Sequence, residues 1–232
     1  MIIYKKVNLR LTLSEFKKAV GLTLVVSLFV SGFFVFAEPH MALALSTDTK
    51  NVVVTLSVNE GIALTVNSAT TALTPLSVAQ DTGVATSTFT IKTNAVAGYK
   101  LELNATATPA MAAGAVTIPD AAVVPELISA PLVPVGTYAF GFSAYSVGTS
   151  DVPTATWGTQ TTGCAQGASS TPSTGLKYRG FNGATKIQVA SNSATTTTAG
   201  NAVVVCFFAQ QNGSYVPAGN YNATIVATAT TN

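Results

Sequence analysis

The sequence predicts an all-β protein built as a two-layer antiparallel β-sandwich of about nine or ten strands. Apolar and polar side chains alternate with a period of two in many short segments, which is the pattern of a strand with one buried face. Turn residues such as Gly, Pro and Asn separate these segments. Beyond residue 44, no segment shows the 3.6-residue period of an amphipathic helix.

The first 44 residues match a secretory signal peptide, and we expect a signal helix there. Five basic residues precede an apolar run at residues 20–37, and Ala42 and Ala44 place small side chains before a cleavage point at Leu45. An uncleaved anchor is the alternative, because the run approaches the ~20 residues that span a bilayer. Cleavage after Ala37 is a further variant. In each case we expect the protein to contact the membrane only through this N-terminal segment.

The composition excludes a nucleic-acid partner. Charged residues make up 9% of the chain, against roughly a quarter in a typical soluble protein. Downstream of Ala44, six basic residues are balanced by seven acidic ones, so this part has a net charge of −1. There is no basic patch to attract nucleic acid or anionic lipid. Low charge with abundant Thr, Ser and Ala is typical of extracellular β proteins.

Alternation predicts four strands in the first half of the chain, at residues 51–58, 62–66, 85–93 and 99–103. In the third of these, Phe89 and Ile91 are expected to point inward. In the fourth, Tyr99, Leu101 and Leu103 share one face. The short turn between these two strands predicts a β-hairpin.

Residues 104–136 form a Pro/Ala-rich excursion, whose closely spaced prolines exclude a helix interior or a central strand. Its aliphatic residues favour a loop packed on the domain. We therefore expect one sandwich domain over residues 45–232. The alternative is two smaller sandwiches divided at this excursion, but the first would have few strands with which to close a core.

Five further strands are predicted in the second half, at residues 137–143, 176–181, 184–189, 202–208 and 216–230. Asn182-Gly183 predicts a hairpin turn between the second and third of them. Residues 202–208 are apolar on both faces, which indicates a central strand. The last segment opens with a Pro-Ala-Gly turn and continues as a Thr-rich alternating strand. With this strand count, the sandwich is expected to be Ig-like.

Cys164 and Cys206 are the only cysteines, and both lie in the exported part. An even count in an oxidising compartment predicts a disulfide between them. Such a bond would stabilise the fold by about 3–4 kcal/mol in the chain-entropy model. Two free thiols are the alternative.

Residues for catalysis or metal binding are scarce. His40 is the only histidine, and cleavage after Ala44 removes it, so no imidazole base remains. The exported part has no histidine, and its two cysteines are expected to form a disulfide, so the usual ligands of a zinc site are missing. The carboxylates are scattered and form no calcium-loop pattern. We expect a protein that is not an enzyme and has no cofactor, metal or catalytic residues. A secreted hydrolase that uses two carboxylates is the remaining catalytic alternative.

Four short pieces, at residues 93–103, 157–158, 178–181 and 217–221, resemble bacterial secreted β-sandwich surface proteins. That group includes spore-coat-U/fimbrial-like and cell-wall-associated sandwich modules. The resemblance implies a structural or adhesive role. It supplies no catalytic residue to transfer to this chain.

The sequence therefore predicts a non-catalytic structural or adhesive protein, secreted or on the cell surface. It would act as a pilus or surface-layer subunit, through self-association or with other surface proteins. Strand exchange would use residues 51–58 or 220–230 to complete a neighbouring sandwich. The alternative is a monomeric module that binds carbohydrate or cell-wall glycan through exposed aromatic rings, Trp157 and Tyr178.

Overall fold

The structure is a computed structural model that describes residues 53–122, 126–127, 133–160, 162–164 and 172–232. The predicted signal helix and its cleavage residues Ala42, Ala44 and Leu45 lie outside the described residues. The chain divides into two units, Met1–Leu56 and Ser57–Asn232, and the strands belong to the second. In the described part, no helix is long and apolar enough to cross a membrane.

Within the described residues the fold has eleven strands and one helical turn. The strands are β1 (Ile62–Val66), β2 (Thr82–Thr93), β3 (Tyr99–Ala105), β4 (Met111–Ala113), β5 (Val116–Ile118), β6 (Glu126–Leu127), β7 (Thr137–Val147), β8 (Lys177–Tyr178), β9 (Ile187–Asn192), β10 (Asn201–Asn212) and β11 (Ile225–Thr231). The helix, α1, spans Thr154–Trp157.

Two antiparallel sheets form the two layers. One has the strand order β1-β2-β10-β7 and the other the order β11-β3-β9, with short pairs β4-β5 and β6-β8 beside them. Their inner faces share one hydrophobic core, to which Phe89 of β2, Leu101 of β3 and Phe142 of β7 contribute. The predicted all-β sandwich is confirmed, and its core includes strands from both sides of the proline-rich excursion.

Strand β10 is buried on both faces, as its apolar sequence predicts. Val203, Val205 and Phe207 face the inner core. The opposite face is covered by a second cluster, formed with residues of β7, of β8 and of the segment at Cys164: Tyr145, Cys164, Leu176, Tyr178, Val204, Cys206 and Phe208. The four-stranded sheet therefore lies between two apolar layers, and the Cys164–Cys206 disulfide connects the outer layer to its central strand.

The two predicted hairpins are wrong, although their strands exist. β2 pairs with β1 and β10, whereas β3 pairs with β11 and β9. The turn at residues 95–98 crosses between layers, with Gly98 at a φ of 80°. Likewise, β8 pairs with β6 and β9 with β3. The first turn connects the two layers, whereas the second leads from β8, whose Tyr178 packs in the outer cluster, to β9 in the sheet of β3.

Of the two terminal strands predicted from the sequence, the first is not formed in its described part and the last is formed but shorter. The described part of the predicted strand at 51–58 forms no strand, and its large side chains are exposed. The terminal strand does form, but it begins only at Ile225. It pairs within its own chain, with Ile225 opposite Ala105 and Thr231 opposite Tyr99.

Part of the proline-rich excursion packs on the domain. It contributes the β4–β5 hairpin, in which Met111 and Ile118 join the core, and Val133 is also buried, whereas Val116 and Val135 are exposed. The aliphatic side chains at positions 123–132, on which the prediction of packing mainly depends, lie outside the described residues.

A buried carboxylate connects both layers at one end of the sandwich. Asp151 accepts hydrogen bonds from the Tyr99 hydroxyl (2.6 Å), the Asn192 amide (2.7 Å) and the Asn201 amide (2.7 Å). These donors come from β3, β9 and β10, and thus from both sheets. Burial and then the Asp151 hydrogen bond raise the pKa of Tyr99. The carboxylate is therefore held by three neutral donors.

Replacement of Asp151 by alanine should lower the free energy of unfolding by at least about 3 kcal/mol, because it leaves buried donors without an acceptor. Urea denaturation measures the loss. Glu60→Ala, at an exposed position, is the control and should stay within about 0.5 kcal/mol of the parent protein. Equal stabilities of the two variants would show that the network contributes nothing.

Replacement of Cys164 and Cys206 together by alanine should lower the free energy of unfolding by about 4 kcal/mol in the chain-entropy model, since the bond joins residues 42 apart. Denaturation with and without reductant measures the effect. Reductant should destabilise the parent protein and leave the double variant unchanged. A parent protein that is insensitive to complete reduction would contradict the expectation.

Candidate binding groove

The two layers separate where an edge strand stops early. β1 pairs with only the last part of β2, from Val66 opposite Phe89 to Ile62 opposite Thr93. β2 begins seven residues before Phe89, at Thr82. Its first half therefore extends past the end of β1, and a groove lies where β1 ends, with Ser87 and Phe89 of β2 in its lining.

Asn67 ends the β1–β2 ladder. Its backbone N–H donates to the Thr88 carbonyl (3.0 Å), and its side-chain oxygen accepts from the Thr88 N–H (2.8 Å). Because a side chain has replaced the next backbone acceptor, the chain can leave the sheet at this point. Farther along, the Thr71 hydroxyl donates to the Thr86 carbonyl (3.0 Å). From Thr88 toward the start of β2, the chain after β1 is therefore bonded to β2 in part through side chains and not through a regular backbone ladder.

The groove has a volume of about 800 Å³. Phe89, Phe140 and Phe207 of the four-stranded sheet line it together with Met111 and Ile118 of the β4–β5 pair. Residues 68–76 form one wall and residues 216–223 the other, with Ile225 at the start of β11. Phe89, Phe140 and Phe207 also belong to the inner core, so the groove borders that core.

Backbone hydrogen bonds hold the wall at residues 216–223. Ala112 of β4 and Asn222 exchange two of them, at 3.0 and 2.9 Å. The Val216 N–H donates to the side chain of Gln211 (3.2 Å), and the Tyr221 hydroxyl donates to the Pro217 carbonyl (2.8 Å). This wall, which carries the Pro-Ala-Gly turn recognised in the sequence, is therefore attached to β4 and β10.

The groove lining is uncharged. Among the described lining residues there is no carboxylate, amine, guanidinium, imidazole or thiol, and Tyr221 is the only ionisable side chain. Such a lining provides no acid–base pair and no anionic metal ligands. The described residues also contain no group of three or more His, Cys, Asp or Glu that could hold a metal ion. The groove is suited to binding an uncharged, partly apolar chain.

The two predicted glycan-contact aromatics are buried, so this prediction is wrong. Trp157 is fully buried, with its ring centroid 5.3 Å from that of Phe142. Tyr178 lies edge-on to Phe208 at 5.1 Å, and its hydroxyl donates to the Cys164 carbonyl (3.1 Å). Burial also raises the pKa of Tyr178. Each large ring gains more from excluding water inside a core than from a surface position.

The predicted disulfide is present. Cys164 and Cys206 are bonded with a Cα–Cα distance of 5.5 Å, and both are buried. A buried disulfide of this kind indicates an oxidising compartment. It lies on the face of β10 opposite the groove, so it stabilises the sheet without lining the site.

Sequence reasoning missed the groove residues themselves. The alternation predicts that Phe89 points inward and that residues 137–143 form a strand, but such a pattern does not separate an enclosed core position from one beside an opening. The one local signal is the composition of residues 68–74, which are small and uncharged except for the larger Leu73 and are followed by Pro75. Pro75 has no N–H to donate to a strand ladder.

No protein-family model, curated protein or solved structure matches this chain. The fold and the groove define an all-β sandwich with an uncharged groove as its candidate site, and the functional proposal rests on that geometry.

One carboxyl near the groove provides a pH test. Asp120 lies two residues after Ile118, and burial raises its pKa, partly offset by the hydrogen bond from the Ala110 N–H. Because the pKa of Asp120 is higher in the folded than in the unfolded protein, the protonated carboxyl favours the folded state. This contribution to the free energy of unfolding is fully present below the unfolded-state pKa of about 4 and is lost as the pH rises through the folded-state pKa. Asp120→Asn should therefore gain stability relative to the parent protein between pH 3 and pH 7. Urea titrations at both pH values measure the difference, and one that shrinks with rising pH would contradict the assignment.

Proposed function

We propose that the protein is a non-catalytic structural subunit of an extracellular assembly, and that copies join by strand addition. Residues 51–58 of one copy would lie in the groove of the next as an additional strand beside β2. The observation that carries this proposal is the uncharged groove, lined by both polar and apolar side chains, that lies beside Ser87 and Phe89 of β2 where β1 has ended. An added strand would supply backbone hydrogen bonds and alternate side chains to such a site.

The proposed occupant has the required chemistry. Val54, Leu56 and Val58 recur at every second position, and their exposed fractions are 86%, 86% and 71%. Residues 51–58 carry no charge, although Lys50 and Glu60 flank them. An uncharged alternating segment matches an uncharged groove. Each large aliphatic side chain that moves from water into the groove would contribute roughly 1.5–3 kcal/mol.

The lengths also agree. The part of β2 beyond β1, residues 82–88, spans roughly 20 Å at about 3.3 Å per residue. A strand formed by residues 51–58 is of similar length. One donor segment would therefore cover the uncovered part of β2, and its apolar side chains would face Phe89 and Phe207.

The N-terminal segment is a better donor than the C-terminal strand. β11 already forms a seven-residue ladder with β3, and Ile225, Ala227 and Ala229 pack against the core of their own chain. Withdrawing β11 would break that ladder. Residues 53–58 can leave without disrupting any strand of their own chain.

A surface location agrees with the rest of the molecule. The disulfide fits export to an oxidising environment, and the first 44 residues have the pattern of a secretory signal. A pilus or surface layer is the kind of assembly that repeated strand addition builds. The competing glycan-binding role loses its proposed contacts, because Trp157 and Tyr178 are buried.

Leu56→Asp should weaken self-association at least about tenfold, because it places a carboxylate in the groove and removes a buried aliphatic side chain. Thr55→Asp is the matched control. It adds the same charge one residue away, on the face of the donor strand that points to solvent. Sedimentation velocity of the purified chains over a range of concentrations measures the difference, and electron microscopy shows whether filaments form. Equal effects of the two substitutions, or a parent protein that stays monomeric throughout, would reject strand addition.

The location of binding can be mapped separately. In an isotope-labelled Leu56→Asp protein, an unlabelled peptide of residues 51–58 should shift the amide resonances of Ser87, Phe89 and Tyr221, which line the groove. Resonances of the outer layer around Tyr178 should change much less. Shifts confined to the outer layer would place the site elsewhere.

A further inference from the structure

We propose that residues 67–76, here called the plug loop, occupy the donor's place in the unassembled subunit and are displaced when a donor strand enters. This inference rests on the proposed function and concerns the regulation of the same site. It would make strand addition an exchange between an internal segment that is weakly held and an external one that is strongly held.

The plug loop reaches between the layers. Leu73 and Leu76 are partly buried and pack against the inner core. Beside them, the Thr74 carbonyl lies directly over Gly83 of β2, so close that a Cβ atom at position 83 would overlap it. Glycine at position 83 therefore allows the plug loop to approach the inner face of β2. The loop fills space that an added strand's side chains would need.

The middle of the plug loop is held lightly. Residues 68–72 are exposed, and the bond from the Thr71 hydroxyl to the Thr86 carbonyl fastens them to β2. Pro75 has no N–H to donate to a strand ladder. A donor with the sequence of residues 51–58 has no proline and has a large aliphatic side chain at every second position. It would form more backbone bonds and bury more apolar surface than the plug loop does.

Both ends of the plug loop are firmly attached. Asn67 forms two hydrogen bonds with Thr88 at one end. Just after the other end, Ser77 and Gln80 close a turn with backbone hydrogen bonds of 3.0 and 3.1 Å. The side chain of Gln211 in β10 attaches this turn to the sheet by donating to the Ser77 carbonyl (2.7 Å). The loop can therefore swing out between fixed ends while β1 and β2 stay in place. Before assembly it would shield an edge that otherwise invites indiscriminate pairing.

Gly83→Ala tests this directly, because the new methyl group forces the Thr74 carbonyl away from β2. Gly61→Ala is the matched control, since a Cβ there meets only the Asn94 side-chain oxygen at 4.0 Å. Both changes are made in the full-length Leu56→Asp protein, whose own segment is a poor donor. Stopped-flow fluorescence follows the binding of a labelled peptide of residues 51–58, and circular dichroism shows that each variant is folded.

Gly83→Ala should raise the association rate constant about tenfold over Gly61→Ala. That change corresponds to a rise in the binding-competent fraction from about a tenth to nearly all molecules. Leu73→Ser with Leu76→Ser removes the apolar anchors of the plug loop by another route and should act in the same direction. This second variant decides the outcome if Gly83→Ala does not fold.

The possible results separate the two proposals. Peptide binding at equal rates in all variants would overturn the plug loop and leave strand addition standing. Absence of peptide binding in every variant, including those with a released loop, would overturn strand addition, and the plug-loop proposal with it.

Discussion

The fold depends on one strand whose two faces both exclude water. β10 has large apolar side chains on each side, with Val205 and Phe207 toward the inner core and Val204 and Phe208 toward the outer cluster. A strand of this kind is stable only in the middle of a sheet that is covered on both faces. The β3 sheet provides one cover. The segment that contains Cys164 provides the other, and the disulfide attaches it to β10 itself.

The remaining architecture follows from this requirement. Because β10 needs a full second layer, the chain crosses between sheets at residues 95–98 instead of forming a local hairpin. Asp151 then joins β3, β9 and β10 through Tyr99, Asn192 and Asn201 at one end. Elsewhere β1 ends at Val66, opposite Phe89 of β2, and the groove forms beside this point, with Ser87 and Phe89 in its lining.

The proposed strand addition would give a role to the incomplete layer of an otherwise closed sandwich. The groove is uncharged, and its described lining residues combine polar with apolar side chains. The chain also carries an exposed, uncharged segment with the alternation that such a groove would accept. In the proposed assembly, the incomplete edge of one copy would accept the unpaired segment of the next. The plug loop would keep the edge occupied until the copies meet.

Within several of the predicted strands, the sequence by itself indicated which side chains face inward. It correctly assigned Phe89, Ile91, Tyr99 and Leu101, the central position of residues 202–208 and the cysteine pair, since period-two alternation and cysteine parity are local properties. Tertiary structure decided which strands pair, that Trp157 and Tyr178 are buried and that residues 53–58 stay outside the sheets. Alternation shows that a face must be buried, but not against which neighbour. The neighbour of each strand depends on how all the apolar faces of the chain pack into one core, and this cannot be read from any single segment.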